Sequence, residues 1–379
     1  MQARPGARFT CHGDGLCCTD IHQLGPVSAK EKPPIDAVRK GVVVREGNIR
    51  LLRLVDDHRP GGCAFLDRDM MCEIHTHNEG RTKPRTCHRF PFLLAKTPEG
   101  PRLGTDHRCP CRTMGEREPV DVAHARASLL DTSGRLTSDR NVDGRVALAP
   151  KKHVEWSTYR NHETYFLERL TRCSESLSHE GSAPPMQVED ALEAEAFPAL
   201  WLSVPGGKGW VSNTWSKVAE DLKQQSRSSR WGECFRLFGR TLAWLTSDPE
   251  ERGPLKMAPR LWEEAFDRAE RRTAFDPRDR NKVIEAMFAD FAADAIWALD
   301  WPFFHSLQHT RIELATRFAV ARAFIYALEQ SGVRSDRAAA EAIAMIEVVG
   351  VSPEWLTVIM QMRMPEVPKH LSVRNPNKG

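Results

Sequence analysis

Ten cysteines stand in this chain of 379 residues, and eight of them fall within its first 111: Cys11, Cys17, Cys18, Cys63, Cys72, Cys87, Cys109 and Cys111. Seven of the fourteen histidines share that stretch. The eight thiols sit beside Gly, Pro, His and charged residues, not inside apolar runs. A core cysteine behaves as a small hydrophobe, and these settings do not offer a core. In a reducing compartment, clustered cysteines bind metal or do chemistry rather than form disulfides. All eight are therefore candidate metal ligands. Cys173 and Cys234, each alone on a helical stretch, read as buried, inert thiols.

The spacing leaves the metal open. The pattern is C-x5-C-C, C-x8-C, C-x14-C and C-P-C, with none of the C-x2-C pairs of a zinc ribbon. Tetrahedral thiolate sites suit zinc and iron–sulfur clusters alike, so the expected cofactor is a 4Fe–4S cluster or zinc. Eight ligands suffice for two four-cysteine sites, or for one cluster with thiols to spare. If the segment is extended, Cys17 and Cys18 point to opposite faces and do not share one metal. Arg85 and Arg89 flank Cys87 and are expected to lower its pKa or to neutralise a cluster. His12, His75 and His88 lie near cysteines, but each reads first as an ordinary hydrogen-bonded histidine. Charge follows the thiols. Residues 1–120 carry 20 Lys+Arg against 15 Asp+Glu, and the remainder 34 against 36. Cationic surroundings favour thiolates and anionic clusters.

These residues need elements to hold them. "GVVVREGNIRLLRLV" reads as two strands around Glu46-Gly47-Asn48. "CAFLDRDMMCEIH" is a second hairpin candidate, turning at Asp67–Asp69, and "FPFLLAKTPEGPRLGTD" a third, turning at Pro98-Glu99-Gly100. Hairpins this short do not hold themselves together in water, and the cysteines lie at their ends. From about Val120 helical periodicity takes over, at 120–131, 151–178, 186–203, 209–226, 230–246, 276–299, 303–330, 336–349 and 353–363. Gly332 and Gly350 resemble helix ends. The expected fold class is α+β. A small metal-stapled module of short hairpins (1–118) precedes a mostly α-helical domain (119–364) and a loose tail (365–379).

The combined signature "FTCHGDGLCC", "GGCAFL", "CEIH", "KPRTCHRFPF" and "CPC" resembles the zinc- or iron-chelating cysteine-cluster family of YkgJ-like proteins, over roughly residues 9–111. More distantly it is similar to flagellin lysine N-methylases. The resemblance implies a metal-binding module of about eight cysteines. Asp14 stands where the family's opening motif has its second cysteine, Lys83 where Arg precedes Pro84, and His88 where Arg follows Cys87. Asp14 is either a substituted ligand or the turn that brings the thiols round, and Cys111 is a candidate for the missing thiol. With the flagellin enzymes the resemblance implies a protein substrate, and S-adenosylmethionine as a second cofactor.

Other function classes find little support. A net charge of +3 is small for this length and argues for neither a nucleic-acid nor a membrane partner. No apolar run approaches a membrane span, the first residues do not read as a signal peptide, and a cytoplasmic protein is expected. "VPGGKGW" (204–210) lacks P-loop spacing and reads as a linker, and no G-x-G-x-x-G follows a strand. His305 and His309, one helical turn apart, lack the acidic partner of a H-E-x-x-H site. Arg311, Arg317 and Arg322 interrupt apolar helical stretches and require partners if buried. Two readings remain: a metalloenzyme acting on a protein substrate, and a non-enzymatic scaffold that zinc staples together.

Overall fold

The computed structural model describes residues 1–22, 24–55, 61–77, 82–131, 133–175, 186–196, 210–227, 231–301 and 306–356. The secondary structure is mixed α+β. In chain order the first elements are β1 (Gln2–Ala3), α1 (Lys32–Val38), β2 (Val43–Glu46), β3 (Ile49–Leu52), β4 (Leu54–Val55), β5 (Gly62–Cys63), α2 (Glu73–His77) and α3 (Arg85–Arg89). Next come β6 (Phe92–Thr97), β7 (Gly100–Thr105), α4 (Pro110–Thr113), α5 (Val122–Ser128), β8 (Arg140–Asn141), β9 (Arg145–Ala149) and β10 (Lys152–Glu155). The helices that follow are α6 (Trp156–Glu175), α7 (Val188–Leu192), α8 (Trp210–Gln225), α9 (Gly232–Thr246), α10 (Glu263–Glu270), α11 (Arg280–Trp297), α12 (Leu307–Gln330) and α13 (Ser335–Gly350).

The chain forms two compact units. The first comprises Met1–Asn141 with Ser226–Cys234 and Ala258–Ala274, and the second comprises the rest. In the first unit β6 and β7 form an antiparallel hairpin, with β1 parallel on the β7 side and β8 parallel on the β6 side. Two smaller hairpins, β2–β3 and β4–β5, stand apart from this sheet. The turns explain themselves. Gly47 has φ +56° between β2 and β3, and Gly100 has φ +110° after β6, values an L side chain adopts only under strain. The expected hairpins at 43–52 and 92–105 are therefore present, in the expected register of turn residues. The "CAFLDRDMMCEIH" hairpin shrinks to a single bridge, Leu66 to Cys72, because Glu73–His77 turns helical at once. Core clusters here are small. One gathers Leu24, Ile35, Leu52, Phe65 and Ile74 beside the thiols; another gathers Phe92, Leu94 and Leu103.

The second unit is built from long helices. α6 lies along α11, and α13 lies along α12. α12 and α13 are buried on nearly every face, which their alanines and β-branched residues allow. The β9–β10 hairpin, at residues read as loop and helix start, is an addition to the expected elements here, and α10, in the first unit, is another that the sequence pattern did not show. No helix among the described residues is long and apolar enough to cross a membrane. Residues 204–209 of the "VPGGKGW" stretch, His305 and the 365–379 tail lie outside the described residues, and Trp210 begins α8.

Candidate metal centre

The eight N-terminal cysteines fall into two groups. The first is Cys17, Cys18, Cys63, Cys72 and Cys87, which line one cavity of ≈30 Å³. They arrive on four separate short segments. Cys17 and Cys18 occupy a one-turn 3-10 helix (Leu16–Cys18) entered through Gly15 at φ +78°. A Cβ on Gly15 would come within 3.0 Å of the Met70 backbone oxygen, so only glycine permits this approach. Cys63 ends β5 opposite Leu54 of β4. Cys72 leads into α2, where the His75 N–H bonds its carbonyl. Cys87 lies on α3, which follows Pro84.

The helical turn changes the geometry expected of an extended segment. Cys17 and Cys18 face the same cavity, and Cys18 hydrogen-bonds both Cys17 and Cys72. Burial pushes the Cys63 thiol up to about 12 and pushes Cys87 up as well. Cys72 goes the other way: its bond with Cys18, the His75 N–H and the Lys83 charge hold it below the ordinary thiol range against its burial. Lys83 also lines the cavity. Burial works against its charge, but Cys17, Cys87, Cys72 and Cys18 outweigh it and hold the amine above its ordinary value. The cation facing the thiols is therefore Lys83. Arg85 and Arg89, expected to serve Cys87, turn away. Both bond Thr137 Oγ1, and Arg89 also pairs with Asp139. Phe90 closes the cavity, and the His22 ring packs edge-on against it at 4.1 Å. Phe92 packs with Phe9 in the other apolar cluster.

The second group is Cys11, Cys109 and Cys111 with Asp14. Cys109 is the N-cap of α4, and Pro110 at the first helical position swings Cys111 back beside it. Ligand atoms of Asp14, Cys109 and Cys111 all lie within 4.8 Å of one another, and all three residues are buried. The Cys111 thiol donates to Asp14 Oδ2 at 2.7 Å, and Cys11 and Cys109 each hydrogen-bond Cys111. Burial pushes the Asp14 carboxyl up, while the Cys111 thiol and the Leu16 N–H oppose that shift. Cys109 is pushed up to about 12: burial and the neighbouring Asp14 outweigh a bond from Cys111 that holds it down. This buried Asp/Cys/Cys group can hold a metal ion.

Of the histidines near cysteines, His75 and His88 are exposed. His12 lies next to the second group, with Nε2 buried and without a hydrogen-bond partner. Cys173 and Cys234 are buried on α6 and α9, as expected of packing thiols. Sequence reading missed Arg272, which donates to the His12 carbonyl across 260 residues. No local signal announces such a partner.

The three arginines of α12 find separate answers in the second unit. Arg317 pairs with Glu313, and Arg322 joins Glu189 and Glu285. Arg311 donates to the Leu192 carbonyl at the end of α7 and stacks over Phe166 at 4.3 Å. None of them requires an anionic ligand.

No family model matches this chain, and no curated protein or solved structure matches it either.

Proposed function

We propose that this is a metal-binding cysteine-cluster protein whose principal centre is the cavity lined by Cys17, Cys18, Cys63, Cys72 and Cys87, and that an iron–sulfur cluster is its occupant. One observation carries the reading: five thiols and a lysine, from elements 70 residues apart in sequence, converge on one cavity walled by Leu24, Phe65 and Phe90. Thiols pushed up by burial and by one another are costly to ionise without a cation, and a bound cluster supplies that compensation. The donor chemistry fits, because thiolate sulfur is the cluster ligand and cationic surroundings stabilise an anionic cluster. Lys83 supplies the counter-charge, and Phe90 and Leu24 keep water from the donors. A bound cluster of this kind supplies electron transfer or binds substrate at an open iron.

The resemblance of residues 9–111 to YkgJ-like proteins supports the same reading. Its more distant similarity to flagellin lysine N-methylases carries a narrower version: a metalloenzyme that modifies a protein substrate, with S-adenosylmethionine as methyl donor. The competing reading is a zinc-stapled scaffold without activity. Oxygen-free purification separates them. A brown protein containing iron and acid-labile sulfide supports the cluster; a colourless protein containing only zinc overturns it.

A further inference from the structure

We infer that Cys11, Asp14, Cys109 and Cys111 form a second centre, separate from the five-thiol cavity, which takes one divalent cation of the zinc type. The inference rests on the reading that these cysteines are ligands, and adds the partition, the fourth ligand and the metal class. It begins from spacing. In a mononuclear tetrahedral site the donors crowd around one ion with bonds of roughly 2.0–2.3 Å, so neighbouring donor atoms stand about 4 Å apart. In a cluster each thiolate binds a different iron, and donors stand further apart. The Asp14, Cys109 and Cys111 donors are mutually within 4.8 Å, which suits the single ion. Cys11 lies outside that mutual 4.8 Å spacing but reaches the set through its bond to Cys111, and is the candidate fourth ligand.

The protons tell the same story. Cys111 is hydrogen-bonded to Cys11, Cys109 and Asp14 at once. These contacts bring the four candidate donors together around Cys111. Replacing those protons with a divalent ion releases them to water and leaves three S–M bonds and one O–M bond.

Asp14 is the decisive residue. Its Oδ1 accepts from the Leu16 N–H at 3.0 Å and makes the local turn. Its Oδ2 is not used by that turn and faces Cys111. The side chain is 2% exposed, whereas a turn-making aspartate gains nothing from such burial. The shell around the donors is also that of a metal site. The His12 N–H donates to Cys111 Sγ at 3.0 Å, and Arg272, which holds the His12 carbonyl, is a positive neighbour of Asp14. Three thiolates and a carboxylate around a divalent ion leave excess negative charge, which these N–H groups and Arg272 offset. Soft sulfur with one carboxylate oxygen is a zinc donor set.

The test uses the full chain and counts metals after oxygen-free purification, then titrates the stripped protein with zinc and with cobalt(II) as an optical probe. Wild type is expected to hold iron and one zinc. Asp14→Asn, which keeps the Leu16 turn bond but removes the charge, and Cys111→Ser are each expected to lose that zinc and keep the iron. Asp14→Cys is expected to restore it, with a thiolate-to-cobalt band stronger than wild type. Cys63→Ser is expected to lose iron and keep zinc. The inference is overturned if Asp14→Asn keeps zinc while Asp14→Cys loses it, since Asp14 is then only a turn. It is equally overturned if a substitution in either group removes every metal, since one shared centre then uses both. Zinc that stays with Asp14 and its partners in a protein without iron overturns the cluster reading alone. Circular dichroism on each variant checks that the helices persist.

Discussion

The two units differ in the polar groups they bury. The second unit buries full charges, and several of them pair with an opposite charge within the chain. Glu313 accepts from the Trp355 indole at 2.9 Å and pairs with Arg317, whose guanidinium also donates to the Gly350 carbonyl at 3.1 Å. Glu285 is shared between Arg322 and the Val188 N–H, and Arg337 pairs with Glu341. The first unit also pairs a buried charge, Asp106 with Arg108, but beside it buries thiols and a carboxyl whose partners are mostly one another. A network of opposite charges is complete as it stands. A cluster of thiols and a carboxyl can exchange its shared protons for a cation. The difference teaches where a cation would enter: the proposed metal sites lie among the hairpins, while the helices pair their own charges.

If the first unit holds a metal as proposed, removing it should break that unit and spare the second, and this is the largest effect expected. Cys63→Ser or Cys72→Ser withdraws a proposed ligand from the cavity. Structural metal contributes ~10 kcal/mol or more to a small module, which short hairpins with small cores cannot replace. Limited proteolysis should cut residues 1–118 quickly in either variant, while the helical circular-dichroism signal stays near wild type. Full protease resistance in both variants would show that the first unit, like the second, is self-sufficient. The mirror experiment is Glu313→Ala. It strands the Arg317 charge at 4% exposure and leaves the Trp355 N–H without its acceptor. A broken buried pair costs about 3–5 kcal/mol, and thermal unfolding should show that loss in the helical transition without change in metal content.

How much of this was legible follows from range. Hairpins at 43–52 and 92–105 were readable because Gly47 and Gly100 announce their turns locally. The C-terminal helices were readable because their periodicity is long, and Gly332 sits at φ +84° past α12 as a helix-ending glycine should. Gly350 was read the same way for the wrong reason. It is the last residue of α13, and a Cβ there would fall 2.2 Å from the Arg317 guanidinium, so the glycine makes room for a cation 33 residues away. The candidate ligands were visible as residue types, but not their partition. That depends on Cys17 and Cys18 lying in a helical turn and on Pro110 folding Cys109 and Cys111 together, both of which are tertiary outcomes. Lys83 was visible only as a departure from a motif, and Arg272 not at all.

Acid sharpens the comparison more gently. His22 is 5% exposed, and burial, aided by Arg108, pushes it down to about 3. The folded state holds this imidazole neutral, whereas the unfolded chain protonates it near 6.5. Its contribution is therefore complete above about pH 6.5 and is lost as pH falls toward 3, at up to ~1.4 kcal/mol per pH unit. If the cysteines hold a metal as proposed, their protonation weakens its binding in the same direction. His22→Phe removes the first effect and leaves the second. Urea midpoints of the first unit between pH 7 and 4 should fall less steeply in that variant; an unchanged slope would assign all of the acid sensitivity to the metal.

The smallest effect belongs to the second unit. Ser306 caps α12, its hydroxyl accepting from the His309 N–H at 3.3 Å, and Thr310 Oγ1 donates to its carbonyl at 3.1 Å. Only the first of these bonds needs the serine side chain. Ser306→Ala frees one N–H of the first turn and should cost ~1 kcal/mol. The hydroxyl is 3% exposed, so water cannot easily take its place and the cost should fall at or above that figure. The loss should appear equally in metal-loaded and metal-stripped protein, because nothing in α12's cap depends on the thiols. Unfolding midpoints measured with and without chelator decide this. A cost that grows when metal is removed would mean that the two units share stability, and that the second is not self-sufficient after all.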